Sequence, residues 1–134
     1  METIKLERTE RTPEIILDFA NNAFAVRGES YPEDVPSFFG PPVSALEKYL
    51  RDLTIGEVTF DFHMTYFNST SAKVIMKLFE MLDETAARGV TVTINWHFLA
   101  DDDNLEELGQ EFGEDLQSAK LVLCPIQDEG IAIR

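Results

Sequence analysis

A chain of 134 residues, 44% apolar and 27% charged, is sized and composed for one globular domain rather than a disordered tail or two ordinary domains. Its 25 acidic residues against 11 Lys and Arg leave a formal net charge of −14, which excludes the basic surfaces that track nucleic-acid phosphates or anionic membranes. The single cysteine, Cys124, has no partner for an internal disulfide, no apolar run approaches a membrane span, and the opening METIKLERTE holds no signal-like apolar stretch. A cytoplasmic protein with one domain over residues 1–134 is therefore expected.

Residues 1–12 are polar up to Thr12-Pro13 and read as a loose lead-in. Ile15, Leu17 and Phe19, then Phe24 and Val26, alternate with polar or exposed partners on either side of Ala20-Asn21-Asn22, which predicts a β-hairpin. From Glu29 to Pro42 the repeated Pro and Gly predict a loop, with Tyr31, Phe38 and Phe39 either exposed or folded back on the core. Val43, Leu46, Leu50 and Leu53 follow helical spacing, and Gly56 marks a stop.

Val58, Phe60, Phe62, Met64 and Tyr66 alternate with Thr59, Asp61, His63 and Thr65, as Val92, Ile94, Trp96 and Phe98 do with Thr91, Thr93, Asn95 and His97. Strands of a doubly wound sheet are apolar on both faces, so this one-sided pattern predicts helices on one face only. Between them Ala72, Ile75, Phe79, Leu82 and Ala86 mark the longest helix, roughly 69–88, with Glu84→Arg88 as a favourable pair and Gly89 as its stop. A strand–helix–strand unit of this length requires a right-handed parallel crossover. Leu105, Leu108, Phe112 and Leu116 give a third helix, capped at Asn104 by a box-like Asn-Leu-Glu-Glu, and Lys120 to Ile126 a last strand before a loose tail, 128–134. The expected fold is an α/β two-layer sandwich, a mixed sheet of about five strands with about three helices mainly on one face.

No nucleotide, zinc or metalloprotease motif is present. His63, His97 and Asp61 share the polar sheet face, and two imidazoles with a carboxylate can hold a divalent metal, which makes a small metal-dependent enzyme the alternative reading. Solvated surface residues explain them more simply. Asp101-Asp102-Asp103 lacks the glycine and distal Glu of a calcium loop and suits the positive end of a helix. Cys124, among Leu121, Val122 and Leu123, reads as inert.

Asn68-Ser69-Thr70-Ser71 lies where a core strand ends and the long helix begins. Capping accounts for one of these residues but not for three consecutive hydroxyls. A phosphoryl group here would meet first-turn amides, the positive dipole end and Lys73, one turn on.

Gly28-Glu29-Ser30-Tyr31-Pro32-Glu33 with Phe39-Gly40-Pro41, Tyr66 to Lys73, Asn95-Trp96-His97 and Glu111-Phe112-Gly113-Glu114-Asp115 resemble, in order and over nearly the whole chain, the signature segments of the SiaC family of bacterial regulatory phosphoproteins. The resemblance implies a STAS-like fold, as in anti-sigma-factor antagonists, and a non-enzymatic switch without cofactor or metal. It implies phosphorylation by a dedicated serine/threonine kinase, reversal by a PP2C-type phosphatase, and an unphosphorylated form that activates a diguanylate cyclase in cyclic-di-GMP signalling and biofilm formation. The family's acceptor follows the asparagine, which places it at Ser69. The usual Thr-then-Ser order is reversed here, so Thr70 is the second choice. Asn68, Thr70, Ser71 and Lys73 form its surroundings, and Tyr31, Pro32 and Glu33 are candidate partner contacts.

Overall fold

The alternation written into the sequence is realised as one continuous sheet. The computed structural model describes residues 2–127. Strands β1 (Ile4–Leu6), β2 (Glu14–Asp18), β3 (Ala23–Ser30), β4 (Glu57–Phe67), β5 (Thr91–Leu99) and β6 (Lys120–Ile126) lie in the order β1-β2-β3-β4-β5-β6. β1, β2 and β3 pair antiparallel; β3 through β6 pair parallel. Helices α1 (Val35–Arg51), α2 (Ser69–Ala87) and α3 (Asp103–Gly113) supply the three parallel crossovers. Right-handed crossovers that always step the same way along a sheet stack their helices on one side.

The register shows what this arrangement buries. Leu6, Ile15, Val26, Phe62, Trp96 and Leu123 stand side by side across the sheet on the helix-covered face. Phe62 is 0% exposed and Trp96 1%, each burial contributing about 1.5–3 kcal/mol. Phe62, Phe67, Phe79, Trp96 and Phe112 form one aromatic cluster, and the Trp96 indole N–H donates to the Leu105 carbonyl at 2.9 Å. On the opposite face Lys5, Ile16, Ala25, Asp61, Asn95 and Val122 make the corresponding row, with no helix over it among the described residues.

Several expectations change. The lead-in contains β1, so the described residues form six strands where about five are expected; Ile4 and Leu6 alternate around Lys5 and pack against the core edge. The expected loop from Glu29 to Pro42 is the end of β3 and the first half of α1. Asp34 caps that helix by accepting from the Ser37 amide at 3.1 Å and the Ser37 hydroxyl at 2.8 Å. Pro36 falls in its first turn, where no amide donor is needed. Gly40 ahead of Pro41 offers no Cβ to clash with the ring. Val35, Phe39, Pro42, Leu46 and Leu50 then bury one helical stripe, with Phe38 edge-on to Phe39 at 4.7 Å. The helix stops at Asp52, before Gly56.

Asp102, not Asn104, caps α3, accepting from the Leu105 amide at 3.0 Å. Arg88 does not pair with the Glu84 carboxylate; its guanidinium donates to the Leu50 and Glu84 carbonyls and ties the ends of α1 and α2 together. Tyr66, in phase with the core face, is 53% exposed at the carboxyl end of β4. The tail 128–134 lies outside the described residues.

One carboxylate holds the α3–β6 connection. Asp83 on α2 accepts from the amides of Gln117 at 3.1 Å, Ser118 at 2.8 Å and Ala119 at 2.9 Å. Burial alone would raise its pKa, but the Ala119, Ser118 and Gln117 amides outweigh it and hold the carboxyl below its ordinary value. A depressed carboxyl stabilises the fold fully above its unfolded pKa, and the contribution is lost as pH falls through the lower folded value. Asp83→Ala is expected to cost about 1 kcal/mol at neutral pH, solvent screening limiting the effect. Urea unfolding along a pH series should show the gap to the parent protein closing as acid protonates Asp83; a gap constant with pH would remove the carboxylate from the account.

Candidate functional site

The carboxyl ends of the parallel strands carry the chemistry-bearing turn, as open α/β sheets commonly do. β4 ends at Phe67, and Asn68 takes extended backbone (φ −85°, ψ 173°) before α2 begins at Ser69. The Asn68 side chain accepts from the Ser71 amide at 2.8 Å, while its carbonyl accepts from Ala72 at 2.9 Å. The amides of Ser69 and Thr70 precede the first intrahelical bond and point out of the helix end. Ser69, Thr70 and Lys73 are exposed and Asn68 is half-buried. Lys73 follows Ser69 by one turn on the same helix face and makes no ion pair among the described residues.

Ser71 departs from the expected tip. It is 0% exposed, and its hydroxyl bonds the equally buried hydroxyl of Ser30 at 2.8 Å. The three hydroxyls therefore divide into two that face solvent and one that fastens α2 to the end of β3. A second link runs from the Asn68 amide to the Ser30 carbonyl at 3.1 Å. Ser71→Ala strands the Ser30 hydroxyl without a partner and is expected to cost about 1–3 kcal/mol. Adding Ser30→Ala should recover part of that loss in chemical denaturation; strict additivity of the two would show that they are not coupled.

Ser30 lies in the first signature segment and within the Glu29–Pro42 stretch whose repeated Pro and Gly predict a loop. Gly28 in fact sits within β3 at φ +117°, where the register with β4 shifts by one residue. That bulge accompanies the placing of Tyr31 against Tyr66, ring centroids 5.9 Å apart and edge-on. Tyr31 is half-buried, Pro32 is buried, and exposed Glu33 pairs with Arg11 at 2.7 Å. Of these three candidate contacts, Tyr31 and Glu33 present surface and Pro32 does not.

His63, His97 and Asp61 do meet on the uncovered sheet face. His97 Nε2 lies 3.1 Å from Asp61 Oδ1, which also accepts from the Asn95 side-chain amide at 2.9 Å. The two imidazole centroids are 6.0 Å apart. Burial, then His97, Arg27 and Arg8, lowers the His63 pKa. Two guanidinium groups beside an imidazole disfavour a second cation there, and no group of three His, Cys, Asp or Glu among the described residues is arranged to hold a metal. Burial and the nearby Asp61 charge raise the Cys124 thiol pKa, which keeps it protonated.

Known proteins share this fold. A family model described as "SiaC family regulatory phosphoprotein" matches residues 6–126. An uncharacterized protein of Pseudomonas aeruginosa (strain UCBPP-PA14) is 30% identical over 117 residues, covering 86% of this chain and 90% of that one. The crystal structure of apo-SiaC from Pseudomonas aeruginosa matches with a TM-score of 0.82 at 30% identity, covering 92% of this chain and 99% of that one. A chain from the crystal structure of diguanylate cyclase SiaD in complex with its activator SiaC, from the same organism, gives 0.85 at 28% identity, covering 92% and 99%. With fold, segment order and family pattern in agreement, the chain belongs to the SiaC family of regulatory phosphoproteins.

Proposed function

We propose that this chain is a non-enzymatic, cytoplasmic switch whose unphosphorylated form binds and activates a diguanylate cyclase. A serine/threonine kinase phosphorylates Ser69, Thr70 being the second choice of acceptor, and a PP2C-type phosphatase restores the hydroxyl. The observation that carries this reading is the division of the tip: Ser69 and Thr70 are exposed at a helix start while Ser71 is locked inside. A SiaC protein of the same fold is described as the activator of diguanylate cyclase SiaD, which supports the choice of partner.

The chemistry follows from charge. The unmodified tip is uncharged apart from Lys73 and the positive end of the α2 dipole. A phosphoryl group brings about −1.5 to −2 charges and inverts the sign of that corner. The open helix amides and Lys73 hold the group in place, and a partner packed on the tip must then desolvate it.

The test is intact-mass analysis and fragment mapping after incubation with the cognate kinase, followed by cyclase assays with both forms. One phosphate on Ser69 and stimulation of cyclic-di-GMP synthesis by the unmodified form alone are expected. Phosphate confined to another segment, or equal stimulation by both forms, overturns the reading.

A further inference from the structure

A recess of about 460 Å³ opens beside the bulge at the end of β3. The register steps from Gly28 opposite Met64 to Glu29 opposite Tyr66, so Thr65 has no partner on β3. Its side chain lines the recess together with Tyr31, as bulges often re-aim a side chain toward a site. The other wall is the connection between β1 and β2, held there by the Tyr31 amide, which donates to the Arg11 carbonyl at 2.8 Å. Arg8 in that connection lies directly on the Gly28 backbone. A Cβ at position 28 would stand 2.8 Å from Arg8 Nε and 3.2 Å from Cζ, so any side chain there would evict the guanidinium.

Three charged residues line the recess, Arg8, Glu10 and Glu29, and all are exposed. None makes an ion pair among the described residues, with one another or with any other group. Opposite charges that share a recess without closing on each other leave the space between them to a ligand carrying both signs. A phosphate ester would meet two carboxylates, and a polyamine would meet a guanidinium, so each pays a repulsion. We infer that this recess binds a free dibasic amino acid such as arginine, whose one carboxylate and two cations complement one guanidinium and two carboxylates. The ligand carboxylate takes the paired donors of Arg8. Its two cations face Glu10 and Glu29, with the Tyr31 ring beside them. The volume falls within the range of small-molecule sites and leaves room for water. No residue of α2 or of the Asn68–Ser71 turn lines the recess, so this site and the Ser69 switch stand or fall separately.

The probe is L-arginine titrated at constant ionic strength into isotope-labelled full-length chain, followed by amide chemical shifts. Saturable shifts at residues 8–10, 28–31 and Thr65 are expected, with half-saturation at about 1 mM. Agmatine keeps both cations but lacks the carboxylate, and N-acetyl-arginine lacks the α-cation; each should bind about fivefold more weakly. Arg8→Gln alters an exposed side chain, so circular dichroism and melting should match the parent. It should weaken arginine about fivefold while leaving agmatine unchanged, which a merely structural role for Arg8 would not do. Agmatine binding the parent as tightly as arginine would show attraction to the net charge alone and overturns the inference. Shifts gathered on α3, or no saturation by about 10 mM, overturn it as well.

Discussion

Phosphate on Ser69 is expected to weaken cyclase binding by about two to three and a half orders of magnitude. The estimate rests on the cost of burying a charge whose partner is inadequate, about 3–5 kcal/mol, converted at 1.4 kcal/mol per decade. Lys73 offers the phosphate a single, solvated cation, and the Asn68 side chain is already committed to the Ser71 amide. The tip cannot yield instead, because Asn68 and Ser71 are both bonded to Ser30. Ser69→Ala should bind constitutively and be blind to the kinase. Ser69→Asp should fall between the two states, since a carboxylate carries one charge and two oxygens. Isothermal titration of the unmodified, phosphorylated and substituted chains checks all three, and indistinguishable affinities would remove Ser69 from the switch.

Gly109→Ala is expected to destabilise the fold by about 2 kcal/mol, although alanine is the better helix former by about 1 kcal/mol. The sign is decided by Trp96. A Cβ at position 109 would stand 2.4 Å from Trp96 Cδ1 and 2.5 Å from Nε1, closer than atoms tolerate. The indole cannot retreat, because it is 1% exposed, surrounded by Phe62, Phe79 and Phe112, and bonded to the Leu105 carbonyl on α3 itself. Either α3 lifts from the sheet or the aromatic cluster repacks. Urea unfolding followed by far-ultraviolet circular dichroism measures the loss. In a Trp96→Leu background the same substitution should cost clearly less; an equal cost in both would place the strain elsewhere.

The sheet was legible because period-two alternation in Val58–Met64 and Val92–Phe98 fixes strand, face and helix side at once. α2 was equally plain, with a regular apolar stripe, an Asn at its start and a Gly after its end. The first half of α1 was hidden because Pro36, Gly40, Pro41 and Pro42 each argue for a loop locally. Its Asp34 cap and the buried series from Val35 to Leu50 outweigh them only when the whole segment is considered together. β1 is too short, at three residues, to show a period, and its order comes from pairing with β2.

At the site, composition marked the Asn68–Ser71 turn but not the inequality among its hydroxyls. Ser71 is set apart by Ser30, 41 residues earlier, and no local pattern reports such a pairing. The Asp83 anchor was invisible for the same reason, since a mid-helix acid looks like any solvated residue until the loop it holds is placed. The Glu84–Arg88 pair failed in the opposite sense: the spacing was right, but two carbonyls compete better than an exposed carboxylate for the guanidinium.

The strand order has a consequence for how the chain assembles. Because each strand lies beside the one made just before it, a nascent chain leaving the ribosome always finds its docking edge already built. The N-terminal hairpin can form first, and every following helix–strand unit adds to the growing rim without inserting between older neighbours. Parallel sheets with shuffled orders must wait for distant segments. This one can grow vectorially, and a stall during translation after β4 or β5 would leave a shorter sheet of native register rather than a misthreaded one.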